Sequence, residues 1–243
     1  MSGAWLDGEL LALDFETTGV VPTRDVPVSY ALVRAASQQV LSVQSSLVNP
    51  GRQIPAGAVA IHGITSERAA AEGVRLERAI RLVGEAVLAA ARAGVPLVGM
   101  NLAFDLSILD HQLRALDGAG LAERGWQGPI IDVLVLDRHL DQFRKGPRRL
   151  EQLCRHYGVV PTSAHDAGAD AAAALGVLFA LGARFPILSS LDPVALTTAQ
   201  IEWHRAWVAR NAAWHISQGR RPHDHDGEDW PIAGAVCDPP PKR

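Results

Sequence analysis

The sequence is poor in cysteine, in aromatic residues and in net charge. Of its 243 residues, two are cysteines and 5% are aromatic, and the formal net charge is −3. Cys154 and Cys237 lie far apart and in no metal-ligand spacing, which argues against a disulfide framework and against a cysteine-based zinc site. So small a net charge gives no overall attraction to nucleic acid, so binding of that kind has to come from local charges or from metal ions.

Long apolar segments are also lacking. We find no run of about 18 apolar residues, which predicts that the chain has no membrane span. The first residues show no basic region followed by an apolar run, so no signal peptide is predicted and we expect a cytoplasmic protein. The composition, with 48% apolar and 20% charged residues, is typical of a globular protein with a sizeable core.

What is present begins with three β-rich segments. Residues 10–16 form a short apolar run that stops at Thr17-Thr18-Gly19. Residues 26–35 and 39–48 follow, and the three residues between them predict a hairpin.

Segments with helical periodicity then alternate with short apolar runs. Helices are predicted over 54–61, from Thr65 to Ala70, and over 76–93, 103–116, 134–140, 150–157, 169–185 and 197–217, with strands at 96–100 and 129–133. This order favours an α/β domain whose mixed sheet is antiparallel on one side and parallel on the other. We place the main domain at 1–186 and a C-terminal extension at 187–243, whose helix carries Trp203, Trp207 and Trp214.

Two carboxylates stand together at the end of the first predicted strand. Asp14 and Glu16 are two positions apart, so their side chains project from the same face of a strand. Two such anions repel each other unless a cation lies between them, and hard divalent cations prefer oxygen ligands. Taken alone, the pair fits a solvated strand end equally well.

A third acidic residue follows the predicted strand at 96–100. Asp105 falls in the first turn of the next helix, where the helix dipole alone would stabilise a carboxylate. Asn101, in the loop before it, is expected to hydrogen-bond to backbone or to substrate.

The segment His165-Asp166-Ala167-Gly168-Ala169-Asp170 opens the alanine-rich helix. A loop histidine beside metal-binding carboxylates can take a proton from water near neutral pH, although a plain surface histidine is the alternative. The spacing leaves open whether Asp166 or Asp170 is the ligand.

Together, Asp14-x-Glu16-Thr-Thr-Gly, Asn101-x-x-Phe-Asp105 and His165-x4-Asp170 resemble the three motifs of the DEDDh 3′→5′ exonuclease family, in the family's order. That family includes the proofreading epsilon subunit of bacterial DNA polymerase III, ribonuclease T and oligoribonuclease. The resemblance extends over about residues 8–184. It implies a ribonuclease H-like fold, with a five-stranded mixed sheet flanked by helices and here a C-terminal helical extension.

The resemblance further implies a reaction assisted by two divalent cations, Mg²⁺ or Mn²⁺. Asp14, Glu16 and Asp170 would hold one cation, Asp14 and Asp105 the other, and His165 would be the general base. Nucleoside 5′-monophosphates would be released from a 3′ end. The residues expected to surround the terminal nucleotide are Phe15, Thr17, Thr18, Gly19, His62, Asn101 and Phe104. For Phe15 a place in the core competes with this role, because alternate strand residues face opposite sides.

Three functions remain open on these grounds. A DNA-directed exonuclease, with a DNA polymerase as a candidate partner, is favoured over an RNA-directed one that would read a 2′-hydroxyl. The third is a nucleic-acid-binding scaffold without catalysis, whose tryptophan-rich helix docks a partner. A homodimer is left open. The basic cluster Arg144, Lys145, Arg148 and Arg149 could contact substrate phosphates or could be a solvated loop.

Overall fold

The computed structural model describes residues 4–160, 166–221 and 230–232. Its centre is a six-stranded mixed sheet of order β4-β3-β2-β1-β5-β6, with strands β1 (Leu10–Thr17), β2 (Pro27–Ala36), β3 (Gln39–Asn49), β4 (Val74–Arg75), β5 (Leu97–Gly99) and β6 (Ile130–Asp132). Strands β1, β2 and β3 pair in antiparallel fashion, whereas the β1–β5, β5–β6 and β3–β4 pairs are parallel. The predicted mixed sheet is confirmed, with six strands where five were expected, because two-residue β4 is too short to leave a periodic pattern.

Helices account for most of the remaining chain. They are α1 (Ala56–His62), α2 (Ser66–Glu72), α3 (Leu76–Arg92), α4 (Leu102–Asp117), α5 (Val133–Leu140), α6 (Leu150–Tyr157), α7 (Ala167–Arg184), α8 (Ile187–Ser190) and α9 (Pro193–Ser217), after a 3₁₀ turn at Ala4–Leu6. Helix α9 begins four residues before the predicted start at Thr197. The Asp192 carboxylate accepts hydrogen bonds from Val194 and Ala195, and Pro193 occupies the first turn, where its missing N–H costs nothing.

The turn between β2 and β3 is made by two residues in left-handed conformation. Ser37 and Gln38 have φ values of 51° and 58°. Such a pair matches the twist of a two-residue hairpin, so the predicted hairpin is confirmed.

Each face of the sheet carries its own core. Leu10 and Ala12 of β1 pack on the side of α7, whereas Leu11, Leu13 and Phe15 pack on the side of α3 and α4. Because residues two apart on a strand share a face, the side chains at every second position of β1 after Ala12 also face α7.

Helix α7 is apolar enough over 18 residues to pass a length-and-composition test for a membrane span. Of that window, 61% is buried within the structure, where the helix packs on β1 and β2. Burial of this kind is what a core helix shows.

Helix α9 covers the open edge of β6. The Thr197 hydroxyl accepts a hydrogen bond from the Ile130 amide at 2.9 Å, and the Gln200 side chain bonds both the Ile130 carbonyl and the Asp132 amide. An edge strand otherwise presents unpaired N–H and C=O groups, so these two side chains act as a substitute strand.

The tryptophans of α9 contact the domain as well. The indole of Trp203 stacks on the His139 ring with centroids 3.9 Å apart, and the Arg138 guanidinium lies 3.4 Å from the centre of the Trp207 ring. Trp214, further along the helix, is 52% exposed.

Candidate active site

The first two acidic residues of the site lie at the end of β1. Asp14 pairs with Ala31 and Glu16 with Ser29 across the β1–β2 ladder. Both carboxylates continue the face of β1 that packs against α7, because they follow Leu10 and Ala12 at intervals of two residues.

Helix α7 brings the third carboxylate to that face. Ligand oxygens of Asp14, Glu16 and Asp170 all lie within 4.8 Å of one another. Asp166 has a different position and a different task, since its Oδ1 accepts a hydrogen bond from the Ala169 amide and caps α7. The group of three thus includes Asp170, whereas Asp166 serves as a helix cap.

Asp105 reaches the same place from the other face of the sheet. It lies in the first turn of α4, is 4% exposed, and its Oδ1 accepts a hydrogen bond from the Phe15 amide at 2.9 Å. Since Phe15 stands between Asp14 and Glu16, this bond ties Asp105 to the end of β1. The fourth carboxylate therefore lies at the end of β1, close enough to the group of three for its charge to act on Asp14.

The pKa values of Asp14, Glu16 and Asp105 are raised by burial and by the charges of their neighbours. Burial, and then the charges of Asp105, Glu16 and Asp170, raise the pKa of Asp14 well above its ordinary value. Burial followed by the charges of Asp170 and Asp166 raises the pKa of Glu16 to about 7. Burial likewise raises the pKa of Asp105, against the lowering effect of its hydrogen bond from Phe15.

The donor set fits hard divalent cations. Every candidate ligand is a carboxylate, the chemistry that Mg²⁺ and Mn²⁺ prefer, and the closeness of the anions is unfavourable unless positive charge is placed among them. Within the described ranges, Asp14, Glu16 and Asp170 are a group of side chains whose ligand atoms can meet at one ion.

A cavity of about 670 Å³ opens beside Glu16. The last residue of β1 and the loop after it line one wall with residues 17–20, and α1 lines the other with Ile61 and His62. Among the expected substrate residues, Thr17, Thr18, Gly19 and His62 are thus placed at this cavity.

The threonine side chains themselves serve the loop. Thr17 donates a hydrogen bond to the Gly19 carbonyl, and the buried Thr18 hydroxyl donates to Asp25. A Cβ on Gly19 would lie 2.6 Å from an Asp25 carboxylate oxygen, so a larger residue there would displace the Asp25 side chain. Because both hydroxyls are hydrogen-bonded within the loop, we expect a ligand to contact the backbone N–H and C=O groups of the loop.

The other expected substrate residues lie elsewhere. Phe15 is 7% exposed and its ring packs in the core, as the strand alternation predicted, while its amide serves Asp105. Phe104 is half-buried against the same core, and Asn101 is exposed at the start of α4. The lining of the 670 Å³ cavity, as far as the described residues define it, includes neither Asn101 nor Phe104. His165 lies outside the described residues.

The basic cluster before α6 is largely committed to structure. Arg144 and Arg148 both bind the carboxylate of Asp137, which is 0% exposed, and Tyr157 donates a hydrogen bond to it at 2.7 Å. Two of the four cationic side chains therefore share one buried carboxylate and are held within the fold, which weakens the idea that this loop collects substrate phosphates.

Two buried carboxylates near the site were not among the candidate site residues predicted from the sequence. Asp25 accepts hydrogen bonds from Thr18 and from the Val21 amide, and it holds the loop after β1. Asp132, at the end of β6, accepts three backbone N–H groups. Its position directly after an apolar run was a usable signal, whereas nothing around Asp25 distinguished it from a surface acid.

Comparison with known proteins agrees with this geometry. A family model described as Exonuclease matches residues 11–178. A DNA polymerase III subunit epsilon-like protein of Rhodobacter capsulatus is 33% identical over 183 residues, which cover 72% of this chain and 24% of that protein. A PolC-type DNA polymerase III of Lacticaseibacillus paracasei is 28% identical over 173 residues, covering 71% and 11% respectively. The chain thus spans a quarter or less of the length of these relatives.

Solved structures share the fold. E. coli exonuclease I in complex with a dA16 oligonucleotide superposes with a TM-score of 0.65 at 24% identity, covering 82% of this chain and 44% of that one. The complex of the same enzyme with a dT13 oligonucleotide gives 0.63 at 25% identity, covering 74% and 42%. With motifs, carboxylate cluster and sheet in agreement, the chain belongs to the exonuclease family, with a ribonuclease H-like fold.

Proposed function

We propose that this chain is a metal-dependent exonuclease that removes nucleotides from the 3′ end of single-stranded DNA with the help of two divalent cations. The observation that carries the proposal is the meeting of Asp14, Glu16 and Asp170 within 4.8 Å, with Asp105 tied to the strand between the first two. The names of the relatives, which are polymerase III proteins, and of the structural neighbours, which hold DNA oligonucleotides, favour DNA over RNA.

The residues divide between holding cations and holding the nucleotide. Asp14, Glu16 and Asp170 would bind one cation, and Asp14 together with Asp105 the second. Bound there, Mg²⁺ or Mn²⁺ would supply a polarised water and stabilise charge on the departing 3′ oxygen. His165, which precedes α7 in the sequence, would accept the proton of that water at its ring nitrogen.

The terminal nucleotide would occupy the cavity beside Glu16. Its volume of about 670 Å³ exceeds the space that one nucleotide requires, and Thr17 and Thr18 line it next to Glu16. Cleavage at the cluster would then release a nucleoside 5′-monophosphate. Association with a DNA polymerase is a further part of the proposal, since the curated relatives named above are polymerase III proteins.

The proposal is tested by incubating 5′-labelled single-stranded DNA, and RNA of the same sequence, with the protein and Mn²⁺ or Mg²⁺. We expect a DNA ladder that shortens from the 3′ end, no products in EDTA, and slower shortening of the RNA. Asp14→Asn and Asp170→Asn should lower the rate at least about 10³-fold, because each removes a ligand of the proposed metal pair.

Asp166→Asn is the matched control. It removes a negative charge four residues from Asp170, yet asparagine caps helices as well as aspartate, so most of the activity should remain. Internal cleavage products, faster shortening of the RNA, or undiminished activity in Asp170→Asn would each contradict the proposal.

A further inference from the structure

The carboxylate of Asp132 joins the starts of two helices. Its Oδ1 accepts hydrogen bonds from the amides of Asn101 and Leu134, both at 3.0 Å, and its Oδ2 accepts one from the amide of Leu102 at 2.9 Å. The residue is 1% exposed, so water does not compete for these bonds. One side chain thus fixes the beginnings of both α4 and α5.

Helix α4 depends on this support because it has no cap of its own. Asn101, at the N-cap position, adopts the left-handed conformation with φ 61° and ψ 40°, and its side chain makes no capping hydrogen bond. The first N–H groups of a helix have no partner within the helix, and here Asp132 supplies one. Asp105 lies in this same first turn, so its position relative to Phe15 is set by the anchored end.

Gln200 extends the support to the C-terminal helix. Its side chain is fully buried. Its Oε1 accepts a hydrogen bond from the Asp132 amide at 2.8 Å, and its Nε2 donates one to the Ile130 carbonyl at 2.7 Å. Thr197, one turn earlier on α9, contacts the backbone of Ile130 but not that of Asp132. The two residues therefore hold the same strand at different points.

From this chain of contacts we infer that Asp132 is a positioning residue for Asp105, and that Gln200 makes α9 part of the same support. The inference rests on the proposed function, because it takes Asp105 as a ligand of the second cation. Partners that orient metal ligands typically change metal affinity by about 10- to 100-fold when removed.

The experiment compares Asp132→Asn, Gln200→Leu and the control Thr197→Val in the full chain. Hydrogen exchange of the Asn101 and Leu102 amides reports the cap directly, and the Mn²⁺ concentration that gives half-maximal nuclease activity reports Asp105. Asp132→Asn turns one acceptor oxygen into a donor facing N–H groups. It should accelerate both exchange rates and raise the half-activating Mn²⁺ concentration at least about tenfold, with kcat falling more than KM rises.

Gln200→Leu should raise the half-activating concentration several-fold and Thr197→Val less than about twofold, although both variants lose hydrogen bonds to the same strand. Faster amide exchange in Asp132→Asn with an unchanged Mn²⁺ requirement would overturn the inference, because the cap would then be structural only. If Asp132→Asn does not fold, equal effects of Gln200→Leu and Thr197→Val overturn it. Failure of the proposed function looks different, since the wild-type chain itself would then show no metal-dependent activity.

Discussion

Glu16 ties the stability of the metal-free protein to pH. Burial and the neighbouring charges of Asp170 and Asp166 raise its pKa from 4.5 to about 7. A carboxyl whose pKa is higher in the folded than in the unfolded chain binds protons more readily when folded. It therefore favours folding fully below about pH 4.5, and this contribution is lost as the pH rises through 7.

We expect Glu16→Gln to be more stable than the wild type above pH 7 and little different at pH 5. At pH 5 the wild-type side chain is mostly protonated and as neutral as glutamine, whereas at pH 8 it adds a negative charge to the cluster. Thermal melting in EDTA at pH 5 and pH 8 measures the difference. A stability gap of equal size at both pH values would show that Glu16 does not titrate as described.

At the level of single residues, the sequence supplied the acidic positions but not their geometry. Asp14 and Glu16 could be paired because a strand alternates strictly, and Asp105 could be placed in a first helical turn. The assignment of Asp166 as a cap and of Asp170 as a cluster member required the structure, since each lies near the start of α7. Asp25 could not be found at all, because its partners Thr18 and Arg52 become neighbours through the fold of β1 and β3.

At the scale of elements, Asp137 fastens α5, the loop that follows it and α6 to one another. Its fully buried carboxylate binds Arg144 and Arg148, whose side chains are 7% and 18% exposed, and accepts a hydrogen bond from Tyr157. Burial, together with this carboxylate, raises the pKa of Tyr157, which stays a neutral donor. The loop is held by a desolvated ion cluster rather than by solvent-exposed pairs.

Removing the charge of Asp137 would leave the largely buried guanidinium groups of Arg144 and Arg148 without a counter-charge. Asp137→Asn should therefore lower the free energy of unfolding by about 3–5 kcal/mol. The control is Glu151→Gln on α6. Its ion-pair partner Arg155 is 71% exposed, so loss of this pair should lower the free energy of unfolding by no more than about 1 kcal/mol. Urea unfolding of both variants decides the matter, and similar losses in the two would mean that burial confers no special role on Asp137.

Most elements were predictable because they are long enough to show a period. The hairpin, α3, α6 and α7 appear within a few residues of their predicted limits. The elements that were missed are short, since β4 has two residues and α8 has four. Helix α9 was predicted, but its start at Pro193, after the capping Asp192, was placed four residues too late. That α9 acts as an edge cover could not be read from the sequence, since Thr197 and Gln200 are ordinary helix residues until they meet β6.

In the molecule as a whole, the fold places mutually repelling carboxylates close together at the end of β1. Strand β1 contributes two carboxylates, and α4 and α7 contribute one each. Burial, followed by the charges of neighbouring carboxylates, raises the pKa values of Asp14 and Glu16. The rest of the chain has to hold this cluster together, and it does so through the two cores on either side of β1. Such an arrangement sacrifices stability where the function is proposed to reside.

Because the cluster lowers stability where metal is proposed to bind, one substitution should change the melting temperature in opposite directions with and without metal. Asp170→Asn removes a repelling charge, so in EDTA at pH 8 it should melt at a higher temperature than the wild type. With Mn²⁺ at about 100 times its dissociation constant, the wild type should gain about 2.7 kcal/mol, roughly 5–10 °C for a chain of this size, whereas the variant gains little. The order of the two melting temperatures should therefore reverse when Mn²⁺ is added. A variant that is destabilised equally in both conditions would mean that Asp170 serves packing and holds no cation.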